Sequence, residues 1–275
     1  MKIFYHNDAD GKCAAYIIAD YYGHNFESNK EDYIEMDYGK NFPFNKIKKD
    51  ETVYILDYSI ETYQMDKLLE ITPNVYWIDH HKTANEKYMH YSKKIKGIRD
   101  TKFSGCVLTY IYLHNVPITE VPMAIRYIGD IDIWKWEFKD ETRYFSSGSE
   151  LYDMHPLSSN WDILINNLDK VKNEGKAVEK YKKQRNKEYL KAFSYETIFE
   201  GFTAIVCNIG MVGSELFGDK LKENDIGITY VFDGKEYRVS LRSLKIDVSK
   251  IAVKYGGGGH PGASGFQCKK LPWIE

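Results

Sequence analysis

The chain has 275 residues, of which 43% are hydrophobic and 28% charged, with a formal net charge of −2. These values fit a globular protein of one large or two modest domains, and the near-neutral balance argues against a broadly basic surface for long duplex nucleic acid. The four cysteines, Cys13, Cys106, Cys207 and Cys268, form no Cys-x-x-Cys pair. Without an apolar run of about 18 residues or a leader pattern, the expectation is a cytoplasmic protein with reduced thiols and no membrane contact.

The first half alternates strand and helix signals. Ile3-Phe4-Tyr5 is a short apolar strand, followed by an Ala- and Ile-rich helix from Gly11 to Tyr22. Strands follow at Tyr33 to Met36, Val53 to Leu56 and Val75 to Ile78, with a helix at Glu61 to Leu69 before the last of them. Ser104 to His114 reads as a helix, and another begins at Pro122 and leads into Gly129-Asp130-Ile131-Asp132-Ile133-Trp134. Fully apolar strands separated by helices predict an α/β fold with a doubly wound, mostly parallel sheet.

From about Leu168 to Ala192 the chain is rich in Lys and Glu with spaced apolar positions, which predicts a long exposed helix. Beyond it, Gly201 to Ile209 is strand-like and Ser214 to Leu221 helical. Two strands, Ile226 to Phe232 and Glu236 to Leu241, meet at the hairpin signal Asp233-Gly234, and a short helix spans Asp247 to Tyr255. The expected organisation is a catalytic domain over residues 1–160, a helical linker over 161–198, and a smaller α/β substrate-binding domain over 199–275.

Chemistry-bearing residues sit directly behind three of the strands. If those strands are parallel neighbours, His6, Asp8 and Asp10, then Asp57, then Asp79-His80-His81 share one crevice at the carboxyl ends. Such a density of carboxylates is tolerable around metal ions and costly without them. The i, i+2, i+4 spacing of His6, Asp8 and Asp10 lets three side chains face one point, and Gly11 permits the turn into the helix. A helix-capping acid is the plainer account of Asp8 or Asp57 taken singly. Asp130 and Asp132 are both candidates to complete the coordination, and the residues alone leave that choice open. Near the C-terminus, the glycines from Gly256 to Gly259 allow either a backbone nest for an anion or a flexible turn. His260 and Arg242 stand by as phosphate donors.

Taken in order, these segments resemble the DHH phosphoesterase superfamily with its associated C-terminal domain. The resemblance rests on His6-Asn7-Asp8-Ala9-Asp10-Gly11, Leu56-Asp57-Tyr58-Ser59, Ile78-Asp79-His80-His81-Lys82-Thr83-Ala84, Tyr127-Ile128-Gly129-Asp130, Leu241-Arg242-Ser243 and Gly257-Gly258-Gly259-His260-Pro261-Gly262-Ala263-Ser264-Gly265. Within the superfamily it is similar to the short oligoribonucleases of the nanoRNase type. The resemblance implies two divalent ions, Mn²⁺ first with Mg²⁺ or Co²⁺ as substitutes, held by His6, Asp8, Asp10, Asp57, His80 and Asp130. It implies a catalytic set of Asp57, His80 and His81, and a substrate grip by Arg242, Ser243, Gly257, Gly258, Gly259 and His260.

The expected activity is hydrolysis of very short RNA to nucleoside monophosphates by a monomer or homodimer acting on short single-stranded oligonucleotides or dinucleotides. A single-strand DNA exonuclease, a cyclic or linear dinucleotide phosphodiesterase and a 3′-phosphoadenosine phosphatase are the rival enzymes. A non-catalytic nucleotide-binding protein is the rival from another class.

Overall fold

Four short runs, mostly buried and with Val53 to Leu56 buried throughout, set the first half of the fold. The computed structural model describes residues 1–274, and in it the chain runs β1 (Lys2–His6), α1 (Ala9–Tyr22), α2 (Phe26–Asn29), β2 (Tyr33–Met36), β3 (Val53–Leu56), α3 (Thr62–Ile71), β4 (Val75–Ile78), α4 (Lys82–Lys87), α5 (Gly105–His114), α6 (Met123–Asp132), α7 (Asp140–Ser149), α8 (Asn160–Asn166) and α9 (Leu168–Phe193). Then come β5 (Ser194–Phe199), β6 (Phe202–Asn208), α10 (Lys220–Glu223), β7 (Ile226–Phe232), β8 (Tyr237–Arg242), α11 (Ser249–Lys254), β9 (Gly258–His260) and β10 (Ala263–Cys268). The chain divides into two compact units, Met1–Glu179 and the residues from Lys180 onward. That division falls inside α9, and β5 occupies residues expected for the helical linker.

In the first unit the sheet order is β2-β1-β3-β4, with every pair parallel. Both faces are covered, one by Ile17, Ile18, Cys106, Ile125 and Trp161 and the other by Phe42, Tyr58, Met65 and Leu68. The chain leaves β1 toward β2, then crosses back to β3 on the other side. The order therefore reverses between β1 and β3, the crevice position where open α/β sheets bind ligands.

The second unit holds a mixed sheet of order β5-β6-β7-β8-β10-β9. The hairpin forms as expected, with Gly234 at φ +97 and the Asp233 carboxylate accepting the Lys235 and Glu236 N–H groups. One face packs Ile228, Val239 and Leu241 against Ile251 and Ala252 of α11. On the opposite face, around β6, Ile205 and Cys207 meet Leu216, Phe217 and Leu221.

Candidate metal centre

The first ligand segment is built by the turn from β1 into α1. Asp8 caps the helix, its Oδ1 accepting the Gly11 N–H at 2.8 Å, which is the role a capping acid would have alone. Its other oxygen, Oδ2, lies 2.6 Å from His6 Nδ1, and Asp57 Oδ2 lies 3.6 Å from the same nitrogen. Neither approach has hydrogen-bond geometry, because His6 Nδ1 is buried without a hydrogen-bond partner. The close carboxylates, Asp57 first and then Asp8, nevertheless hold the imidazole up at about 10. A Cβ on Gly11 would meet His6 O at 2.2 Å, so only glycine lets the helix start this close to the strand.

Asp10 is buried and points the other way, into the N-terminus of α5. Its oxygens accept the Gly105 N–H at 2.6 Å and the Cys106 N–H at 3.0 Å. Two N–H groups that an α-helix leaves without partners thus satisfy the carboxylate and fix it. A Cβ on Gly105 would meet Asp57 Cβ at 2.7 Å and Asp10 Oδ2 at 2.9 Å. Gly105→Ala is therefore expected to displace both carboxylates, lowering stability by about 1–3 kcal/mol and weakening the hold of these donors on any divalent cation. Paired thermal melts and metal titrations check both effects.

Asp57 is the centre of the arrangement. It stands at the tip of β3 with φ +52, a left-handed conformation that strains any residue with a Cβ, and it is 0% exposed. Neither of its carboxylate oxygens has a hydrogen-bond partner. Burial, and next the charge of Asp10, push its carboxyl well above the usual range. His80 Nε2 lies 3.1 Å from Asp57 Oδ1, 3.3 Å from Asp132 Oδ2 and 3.9 Å from Asp10 Oδ2. Asp132 is likewise pushed up, to about 8, by burial and then by Asp10 and Asp57, and its Oδ2 is a buried atom without a hydrogen bond.

Asp79 orients the histidines. Its Oδ1 accepts the N–H groups of His80 and His81 and lies 2.7 Å from His81 Nδ1. This contact raises the His81 pKa and directs Nε2 of that ring outward. Tyr38 packs its ring against His6 and His81 at centroid distances of 5.4 and 6.1 Å. The sequence puts Asp79 in the crevice without assigning it this bracing part, and it assigns none to Tyr38. The Asp-His-His run held the signal for Asp79, whereas Tyr38 lies in a loop with no distinguishing pattern.

Three groups of donors converge closely enough to hold a cation: His6, Asp8 and Asp57; Asp57, His80 and His81; and Asp10, His80 and Asp132. Asp57 and His80 each belong to two of them. The residues fit divalent ions: carboxylates and imidazoles without a thiolate suit a hard to borderline cation such as Mn²⁺. The partnerless buried oxygens are the groups a cation would satisfy.

Asp130, expected among the ligands, lies elsewhere. Its carboxylate accepts the Glu137 and Phe138 N–H groups and the Thr142 hydroxyl, so its oxygens are spent on the loop after α6. Asp132 takes the place beside His80, since two residues along a helix turn the side chain to a different face.

Two expectations about the second unit also change. Ser243 is buried, and its hydroxyl donates to Asp225 O while accepting the Lys245 and Ile246 N–H groups. That uses its whole capacity and leaves nothing for a substrate. The glycines form no open nest. Gly257 donates its N–H to Ala252 O, and a Cβ there would meet Gly265 O at 2.0 Å. Gly258, Gly259 and His260 form β9, paired with β10. Close backbone approach explains Gly257 and Gly259. Arg242 and His260 both pair with Ala263, from opposite sides, and so share one row and one face of the sheet.

Residues 213–274 match the DHHA1 domain family. The chain is 23% identical to oligoribonuclease NrnB of Bacillus subtilis (strain 168), across 96% of this chain and 71% of that protein. Among solved structures it is similar to an exopolyphosphatase-related protein from Bacteroides fragilis, at 13% identity and TM-score 0.52, covering 98% of this chain and 86% of that one. It is also similar to the DHH domain of a member of the s1p family of ribosomal proteins, at 13% identity and TM-score 0.51, covering 96% of this chain and 81% of that one. The two structures share the fold.

Proposed function

We propose that the chain is a DHH-superfamily phosphoesterase whose second unit carries the matched DHHA1 domain, and that it is a Mn²⁺-dependent phosphodiesterase cutting very short RNA into nucleoside monophosphates. The observation that carries the reading is Asp57: strained, buried, without a hydrogen-bond partner on either oxygen, and common to two ligand groups. The choice of RNA follows the activity named for the Bacillus subtilis relative.

His6, Asp8, Asp57, His80, Asp10 and Asp132 would hold two divalent ions. When bound, such ions supply an activated water and the charge that an in-line displacement at phosphorus requires. Asp57, common to two of the donor groups, would contribute to holding both, and the N-terminus of α5 keeps Asp10 from turning away. His81, braced by Asp79 and favoured in its charged form, presents Nε2 to a phosphoryl or leaving oxygen and donates its proton there. Within the second unit, Arg242 and His260 grip substrate phosphate, with only the methyl group of Ala263 between them in the row.

The test is digestion of RNA and DNA from two to about twenty nucleotides with Mn²⁺, alongside cyclic dinucleotides. Preference for the shortest RNA supports the reading, and equal cleavage of long single-stranded DNA sinks it. Arg242→Ala or His260→Ala is expected to raise KM about tenfold or more while leaving kcat nearly unchanged, because each removes a charged hydrogen bond of about 1.5–3 kcal/mol. Steady-state kinetics on a dinucleotide checks this.

A further inference from the structure

Resting on the phosphodiesterase reading, we infer that Trp134 is the platform on which a nucleobase of the substrate stacks. Helix α6 ends in a Schellman motif: the Lys135 N–H bonds to Asp130 O at 3.0 Å and the Trp134 N–H to Ile131 O at 3.1 Å. The left-handed position in such a motif is ordinarily glycine, which adopts it without strain. Here it is filled by tryptophan at φ +54, and the residue is 72% exposed. Neither folding nor core packing accounts for a large aromatic residue in that backbone conformation with most of its surface in water.

The surroundings hold it in place for a purpose. Trp134 lies two residues beyond Asp132, so its Cα is within about 7 Å of the Asp132 Cα. Its ring stands edge-on to Trp136, with centroids 6.0 Å apart and planes at 74°. The Arg143 guanidinium braces Trp136 from 5.8 Å. Asp130 clamps the following loop through Glu137, Phe138 and Thr142. An exposed indole two residues from a candidate metal ligand suits a base joined to the phosphate being cut, and every nucleobase has a face that can stack there.

The experiment uses the full chain with Mn²⁺, a 5′-phosphorylated RNA dinucleotide, and the abasic form of the same compound. Trp134→Gly relieves the backbone, so its melting temperature is expected to equal or exceed that of the native protein. Its KM for the dinucleotide is expected to rise about tenfold or more, with the abasic compound unaffected. Trp134→Phe retains most of the affinity. Titration of the native protein with the dinucleotide quenches indole fluorescence, and the Gly variant loses that quench.

An unchanged KM in Trp134→Gly, an equal loss on the abasic compound, or a lowered melting temperature overturns the inference. If the native protein cleaves neither compound, the phosphodiesterase reading falls and takes this inference with it. Cleavage of both compounds with an unaltered Gly variant removes stacking alone.

Discussion

Asp57→Asn is expected to lower hydrolysis roughly a thousandfold or more, equivalent to about 4 kcal/mol of lost charge stabilisation, and yet to make the chelator-treated protein more stable. The two effects have one origin. A carboxylate that is 0% exposed and lacks hydrogen-bond partners opposes folding unless a cation neutralises it. Asn keeps the shape and removes the charge, so the melting temperature in chelator should rise by roughly 3 °C for each kcal/mol recovered. Melts of both proteins, with EDTA and with Mn²⁺, read the exchange directly. A variant less stable than the native protein in EDTA would mean that the carboxylate is structural.

The same groups set a pH dependence in chelator. Asp57 and Asp132 have folded-state values above the ordinary carboxylate value of about 4, Asp132 reaching about 8. In that window the folded protein binds more protons than the unfolded chain, so stability falls as pH rises. His6, raised from 6.5 to about 10, acts in the same direction: its contribution is complete below 6.5 and is lost as pH passes through about 10. The slope should therefore be negative from about pH 4 upward, and shallower in Asp57→Asn.

Asp132→Asn and Asp130→Asn, only two residues apart, are expected to fail in different ways. The first removes a donor beside His80 and should weaken Mn²⁺ binding at least about 100-fold, with a matching fall in kcat. The second leaves the ligand groups intact. It should cost about 1–3 kcal/mol of stability, because the carboxylate tying down the loop from Glu137 to Thr142 loses an acceptor. Calorimetric Mn²⁺ titration of the two variants separates the roles. Loss of metal affinity in Asp130→Asn would restore that residue to the ligand set.

How far this could be read in advance depended on how uniquely physics constrained each stretch. Val53 to Leu56 and Val75 to Ile78 are wholly apolar and short, so only buried strands suit them, and the acids behind them had to gather at the strand tips. Asp130 and Asp132 offered no such handle, since helix phase at the end of α6 decides which carboxylate turns inward. Residues 194–199 continued the polar character of the helix before them, because β5 is an edge strand with its polar residues in water. The glycines from 256 to 259 pointed equally to an anion nest and to close backbone packing. Only the positions of Ala252, Gly265 and Ala263 distinguish the two, and those are tertiary facts.

The helix α6 supplies Asp132, while β1, β3 and β4 lead into the other donors, and α6 must first settle against α1 and α5. The set of donors is therefore incomplete until residues as far apart in sequence as His6 and Asp132 have been brought together. A cation can bind tightly only once this unit has folded, so cation affinity and the stability of the unit are two readings of one free energy.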